Sequence, residues 1–199
     1  MNIAKSCVIL VLMLCGGAAL AADDKAKDRS SEQIVPAGPS ATPLGGLTPE
    51  SSTQAWGSLQ IDKAVSGNPL SIAGRPFAHG LGTHAASEIV YDLDHGAESF
   101  SAWVGVDDFL KSHPDANKAS VVFQVIGDGK TLFESGVMRM GDAAKEVKVP
   151  LKGVAQLKLI VTDAGDGNSC DHADWADAAS DRRCRPQEDG LRLQLETLR

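Results

Sequence analysis

Seventeen residues, Thr162 to Ala178, are dense in reactive side chains: Thr-Asp-Ala-Gly-Asp-Gly-Asn-Ser-Cys-Asp-His-Ala-Asp-Trp-Ala-Asp-Ala. They hold five carboxylates (Asp163, Asp166, Asp171, Asp174 and Asp177), the imidazole of His172, the indole of Trp175 and the thiol of Cys170. Such a set can supply acid and base groups, hard oxygen ligands or a polar site with one aromatic wall. The stretch follows Gln156-Leu-Lys-Leu-Ile-Val161, whose apolar residues Leu157, Leu159 and Val161 recur at every second position. That spacing marks a half-buried strand. A strand running into a Gly-rich acidic loop is how rigid sheets commonly hold binding groups.

Two earlier stretches carry further candidates. Phe77-Ala-His-Gly-Leu-Gly-Thr-His84 places His79 and His84 beside Gly80 and Gly82, where the backbone passes closely. His84 there either meets ligand hydroxyls or satisfies buried backbone groups at a strand corner. Val104-Gly-Val-Asp-Asp ends a strand on Asp107 and Asp108. Paired acids of this kind bind calcium or hydroxyl groups, or cap a turn. Asp163-Ala-Gly-Asp-Gly does not have the EF-hand spacing, so a calcium loop of that type is excluded. The charged segment from Asp177 to Gly190, with Arg182, Arg183 and Arg185, reads as a solvated surface loop.

The elements that must position these groups are short and extended. Alternation is clearest at Phe100/Ala102/Val104, Val147/Val149/Leu151 and Leu191/Leu193/Leu195. Gly127-Asp-Gly-Lys130 between two such runs predicts a tight hairpin. No stretch sustains a helical period over ten residues. Further strands are expected near Trp56–Ile61, Gly80–Thr83, Glu88–Asp92 and Ser120–Ile126, and the sum reads as an all-β sandwich or jelly roll.

Ahead of the sandwich, Lys5, the apolar run Val8 to Leu14 and Ala19-Leu-Ala21 form the pattern of a secretory signal peptide over residues 1–21. The run is too short to span a bilayer, which takes about 20 residues. Residues 22–52, with Pro36, Pro39, Pro43 and Pro49, read as a flexible, disordered linker, and 53–199 as the folded domain. Export places the protein in the bacterial periplasm or outside the cell. Losing the leader moves the formal charge from −7 to −8, because Lys5 is its one charged residue. An acidic chain argues against nucleic acid and anionic membranes as partners, since both reward basic patches. Cys7 and Cys15 leave with the leader, so Cys170 and Cys184 remain, and an oxidising compartment makes a disulfide the expected state. A metal site built from Cys170, His172 and Cys184 is the rival reading, although the spacing matches no common zinc pattern.

Several short motifs fall in one order: Gly80-Leu-Gly-Thr-His-Ala-x-Ser, Tyr91-Asp-Leu, Phe100-Ser-Ala-x-Val-Gly-Val-Asp-Asp, Asp128-Gly-Lys, Glu134-Ser-Gly-Val-Met, and Thr162-Asp-Ala-Gly-Asp-Gly through Asp171-His-Ala-Asp-Trp-Ala-Asp-Ala. Over roughly Trp56 to Ala178 this resembles the NPCBM family, related to the family 51 carbohydrate-binding modules that accompany glycoside hydrolases. The resemblance implies a galactose-binding-like β-sandwich, non-catalytic recognition of glycans, galactose-type among them, and a structural calcium ion. On that footing Trp175 is expected to be the sugar platform, with His84, Asp107, Asp108 and Asp174 as polar contacts. Asp62 and Glu196 are expected near a calcium ion at the two ends of the domain. The Cys170/Cys184 pair and the nearby arginines are not part of the family pattern.

Two competing functions stand beside this one. A structural module would use the same sandwich to bind an envelope protein or peptidoglycan, tethered by the linker. A glycosidase would use an Asp pair as acid and base, or His172 with Asp171 or Asp174 as part of a triad. No Gly-x-Ser-x-Gly nucleophile motif occurs in the chain.

Overall fold

The computed structural model describes residues 40–182, which fall within one compact unit, Ala37–Arg199. The leader, residues 22–39 of the linker, Cys184, Glu196 and the strand expected around Leu191 to Leu198 lie outside the described residues.

Thirteen strands and three single 3-10 turns make up the described chain, with no α-helix among them. The first sheet runs in the order β11 (Lys145–Pro150), β8 (Ala97–Val106), β13 (His172–Arg182), β6 (Gly80–His84) and β3 (Gln60–Ile61), with β1 (Ser40–Pro43) also paired to β13. The second runs β10 (Lys130–Arg139), β9 (Ser120–Gly127), β12 (Gln156–Thr162), β7 (Ser87–Asp92) and β2 (Ser51–Gln54). A hairpin of β4 (Leu70–Ile72) and β5 (Arg75–Phe77) stands apart from both. Every pairing in the two sheets is antiparallel.

The core follows from the alternation. Phe100, Ala102, Val104 and Val106 of β8, Val121, Phe123 and Val125 of β9, and Leu157, Leu159 and Val161 of β12 are all buried in one cluster between the sheets. A second, smaller cluster of Ala64, Leu70, Ile72, Phe77 and Ala176 forms where the β4–β5 hairpin covers the other face of the first sheet. The β9–β10 hairpin turns where expected, with Asp128 and Gly129 at φ of 47° and 79°, the two positive values a tight turn of this kind requires.

Two expectations are corrected by the described residues. The domain begins well before residue 53: β1 pairs with β13, and Leu44 just after it is wholly buried in the main core. The four prolines hid this, because Pro43 ends the edge strand β1, a position where a missing N–H costs nothing. The second correction concerns the acidic segment. Its Asp163–Cys170 portion is irregular, but His172 to Arg182 is a strand, and it lies inside the first sheet between β8 and β6. Its polar residues are accommodated because the strand is covered on both faces by different layers. Ala173 and Trp175 face the main core, whereas Ala176 lies in the cluster under the hairpin. A bulge between Ala176 and Ala179, with Asp177 at φ 49°, turns Asp177 out to solvent and returns Ala178 to the core.

The Gly80-Leu-Gly82 motif is explained by close approach. A Cβ on Gly80 (φ 148°) would stand 2.6 Å from the carbonyl oxygen of Trp175. One on Gly82 would run into the backbone of Lys63 and Ala64. Bare backbone at both positions lets β6 lie tightly between β13 and the Asp62–Ala64 segment.

Candidate functional site

Four rings meet at one end of the first sheet. β6 ends on His84 where β13 begins on His172, and the two are register partners across the strand pair. Their ring centroids lie 5.3 Å apart. Trp56, from the loop between β2 and β3, packs 5.5 Å from His84 and 5.6 Å from His172. Phe109, from the turn after β8, packs 5.6 Å from His172 on another side. Trp56 and Phe109 are 54% and 52% exposed, whereas both histidines are buried to 6%. The result is a floor of two imidazoles between two open aromatic walls.

The histidines are held neutral. Burial lowers the pKa of His84, against a smaller opposing effect of its hydrogen bond to the Ala85 carbonyl. Burial, helped by neighbouring His84, brings His172 down to about 4. His84 Nδ1 lies 2.7 Å from the Ala85 carbonyl oxygen. A carbonyl only accepts, so Nδ1 carries the proton and Nε2 is left as an acceptor. His172 Nδ1 is buried with no protein partner among the described residues. It is therefore not paired with Asp171 or Asp174, and the triad-like arrangement is absent there. Neutral imidazoles between aromatic walls suit an uncharged ligand that offers hydroxyls and an apolar face.

Behind this floor sits a sealed group of carboxyls. Asp107 is 1% exposed and Asp174 0%. Asp107 caps the turn that carries Phe109, accepting from Phe109 N at 3.0 Å and, through its other oxygen, from Ser71 N at 3.2 Å. Asp108 accepts from Ser71 Oγ at 2.7 Å and Gly74 N at 2.6 Å, tying the β4–β5 hairpin down. Asp174 shares a side-chain hydrogen bond with Asp107 and lies against the Ser71 backbone N–H. Burial, then the neighbouring Asp107, drives its pKa well above the usual carboxylate range, and burial raises Asp107 as well. Two carboxyls in one dry place cannot both ionise, so Asp174 keeps its proton. Asp107 and Asp108 position Phe109 and the hairpin.

The expected site is thus redrawn. His84 takes its place in the ring cluster. Trp175, the expected platform, is wholly buried in the main core, edge-to-face against Phe123 at 5.1 Å and Phe100 at 6.2 Å. Strand alternation decides this: the bulge at Asp177 removes the acidic neighbour that would have shared its face. Asp174 and Asp107 are buried, and Asp108, partly exposed, is bonded to the hairpin. The sequence alone does not point to Trp56, Phe109 or the place of His172 in the cluster. Trp56 lies in a loop and not in the strand expected from it to Ile61, and the lack of alternation in Ala55-Trp-Gly-Ser58 is the signal for that.

Asp62 lies at the opposite end of β6, exposed, with Oδ1 accepting from Gly80 N at 3.0 Å and 3.4 Å from His79 Nδ1. Its proposed companion Glu196 lies outside the described residues. Among the described residues no group of three or more histidine, cysteine or acidic side chains is arranged to hold a metal ion. Cys170 is half-buried against the core just before β13, and its proposed partner Cys184 also lies outside.

Asp171 gives a pH test of this region. Its Oδ1 accepts from Ser120 N at 2.9 Å, its Oδ2 has no partner, and burial lifts its pKa to about 7. A raised acid contributes stability that is present below its unfolded value, near 3.9, and is lost as pH rises through the folded value. His172, lowered to about 4, acts in reverse: its contribution is present above about 6.5 and is lost as pH falls through about 4. Asp171→Asn keeps an acceptor for Ser120 and removes one of the opposing trends. The variant should therefore gain on the wild type as pH rises from 4.5 to 7.5, by on the order of a few kcal/mol. Urea midpoints at three pH values measure it, and a constant difference across them would refute the assignment.

The NPCBM/NEW2 domain pattern matches residues 40–180. The second carbohydrate-binding module, CBM51-2, of Clostridium perfringens ZmpB, solved with GlcNAc, superposes with a TM-score of 0.68 at 38% identity, covering 72% of this chain and 32% of that one. The CBM51 of the same organism's GH95, solved with methyl-galactose, gives 0.65 at 35% identity and covers 71% of this chain and 99% of that one. The Akkermansia muciniphila enzyme named alpha-1,3-galactosidase B is 33% identical over 158 residues, 77% of this chain. The chain spans only 8% and 19% of the lengths of two curated relatives it matches. A match over residues 40–180, spanning both sheets and all four rings of the site, makes this chain a member of the NPCBM/NEW2 family of carbohydrate-binding modules.

Proposed function

We propose that this module binds neutral glycans ending in galactose or an N-acetylhexosamine at the face formed by Trp56, His84, His172 and Phe109. The observation that carries the reading is the pair of uncharged, buried imidazoles between two half-exposed aromatic rings. A pyranose has an apolar C–H face for the indole and phenyl rings and hydroxyls for His84 Nε2 and His172. The relatives solved with GlcNAc and methyl-galactose support this choice of sugars. The module acts without catalysis, as a glycan-holding part beside a glycoside hydrolase, and the chain is exported to the periplasm or medium. A Cys170–Cys184 disulfide and a calcium ion using Asp62 and Glu196 belong to the same proposal, read by thiol titration and by the melting temperature with calcium or chelator.

Calorimetric titration of the full chain with methyl-galactose and GlcNAc tests the reading. Weak binding of one of them is expected, held from pH 8 to about 5, because His172 stays neutral well below the ordinary histidine range. No heat with either sugar, together with an empty glycan array, would leave the structural-module reading in its place.

A further inference from the structure

Beside the ring cluster the chain forms a cleft of about 530 Å³ lined by Ser52, Thr53, Gln54, Gly57, Ser58 and Leu59. These residues flank Trp56 on both sides in the chain, so the loop that carries the exposed indole of the ring cluster also builds the cleft. The volume is in the range of small-ligand sites, roughly 300–1,000 Å³. Its lining contains no charged side chain, four polar ones and one apolar one.

The cleft is fastened to the first site by identifiable bonds. Thr83, the residue before His84, donates its hydroxyl to Gln54 Oε1 at 2.8 Å. Gln54 Nε2 donates to the carbonyl of Trp56 at 2.5 Å. One amide thus spans from β6 to the loop that carries the indole. The remaining polar groups are unspent. The exposed hydroxyls of Ser52 and Thr53 have no hydrogen bond among the described residues, and Ser58 Oγ is used only as an acceptor, by Gln60 Nε2 at 3.1 Å and beside that by no donor of its own. Among the described residues β2 is also the edge of its sheet and pairs with β7 alone, which leaves its outer backbone groups without a strand partner there. An edge strand with free backbone groups and free hydroxyls is a row of hydrogen-bonding sites without charge.

We infer that this cleft is a second sugar subsite, which holds the residue adjoining the terminal sugar of a neutral oligosaccharide. The inference rests on the glycan reading of the four-ring face. A polysaccharide end entering there places its terminal ring between Trp56 and Phe109, and the next ring follows the Trp56 loop to meet Thr53, Gln54 and Ser58. The absence of charge in both places selects uncharged chains over sialylated or sulfated ones.

The test is titration of the full chain with methyl-galactose, GlcNAc and a panel of disaccharides that extend each of these through every available hydroxyl. At least one disaccharide is expected to bind ten-fold or more tightly than the better monosaccharide. Ser58→Trp and, independently, Thr53→Trp fill the cleft and should remove that gain while monosaccharide affinity stays unchanged. Thr53 lies on a strand where an aromatic residue is tolerated, so the second variant guards against misfolding of the first. Disaccharides that bind no better than monosaccharides would overturn the subsite and leave the terminal-sugar site standing. So would a gain that survives both tryptophans. Absence of binding by every saccharide would overturn the first site and the second together.

Discussion

Trp175→Ala is expected to destabilise the domain by about 3–5 kcal/mol, the usual cost of truncating a buried large aromatic residue. The indole is wholly buried between the sheets, edge-to-face with Phe123 and near Phe100, and its strand is central in the first sheet. Domains of this size have roughly 5–15 kcal/mol to lose, so the variant falls close to unfolding at physiological temperature. Its indole N–H has no hydrogen-bond partner among the described residues. Trp175→Phe should therefore cost distinctly less, since it keeps a ring in the core and removes a buried, unpaired donor. Denaturant unfolding of both variants measures the order. Glycan binding should fall only in step with the folded fraction. A Trp175→Ala protein that melts like the wild type and yet binds no sugar would return this residue to the ligand site.

Trp56→Ala should do the opposite: remove glycan binding and leave the melting curve almost untouched. The indole is more than half exposed, and exposed positions away from caps and cores usually change stability by less than about 0.5 kcal/mol. An aromatic residue at the centre of a binding face carries a disproportionate share of the affinity, on the order of 2 kcal/mol or more, which is roughly a thirty-fold loss. A second readout separates loss of the wall from a mere local rearrangement. Trp56 helps keep water from His84 and His172, so its removal should raise both imidazole pKa values toward the ordinary histidine range, as followed by NMR titration. Phe109→Ala is the companion variant on the other wall and should raise His172 more than His84, because Phe109 stacks on His172. Retained affinity in Trp56→Ala would move the sugar away from this face.

How much of this was written in the sequence differs sharply between the fold and the site. Among the described residues, the runs with a clean two-residue alternation, from Phe100 to Val106 and from Leu157 to Val161, are strands with those residues inside. Alternation is a local property: one sheet face must be apolar, and the sequence shows that without help from the rest of the molecule. The Asp128-Gly129 turn is equally local, since positive φ is a property of two residues. The ordered motifs also identified the family and its carbohydrate-binding role.

The site was not local. His172 to Ala178 reads as a polar loop because its acids interrupt any apolar pattern, but the strand is covered on one side by the second sheet and on the other by the β4–β5 hairpin. Only with both covers in place does Asp174 become a buried, protonated group and Trp175 a core residue. The four rings come from residues 56, 84, 109 and 172, in the loop after β2, the end of β6, the turn after β8 and the start of β13, and no spacing along the chain brings those numbers together. Strand pairing sets His84 opposite His172, the Asp107 cap aims Phe109, and the Gln54 bonds hold the Trp56 loop. Composition and alternation determined that this protein is a β-sandwich. Which aromatic residue stays in water was decided by the register of β6 against β13 and by one bulge at Asp177, because a one-residue shift in a strand exchanges the face that is buried for the face that is free.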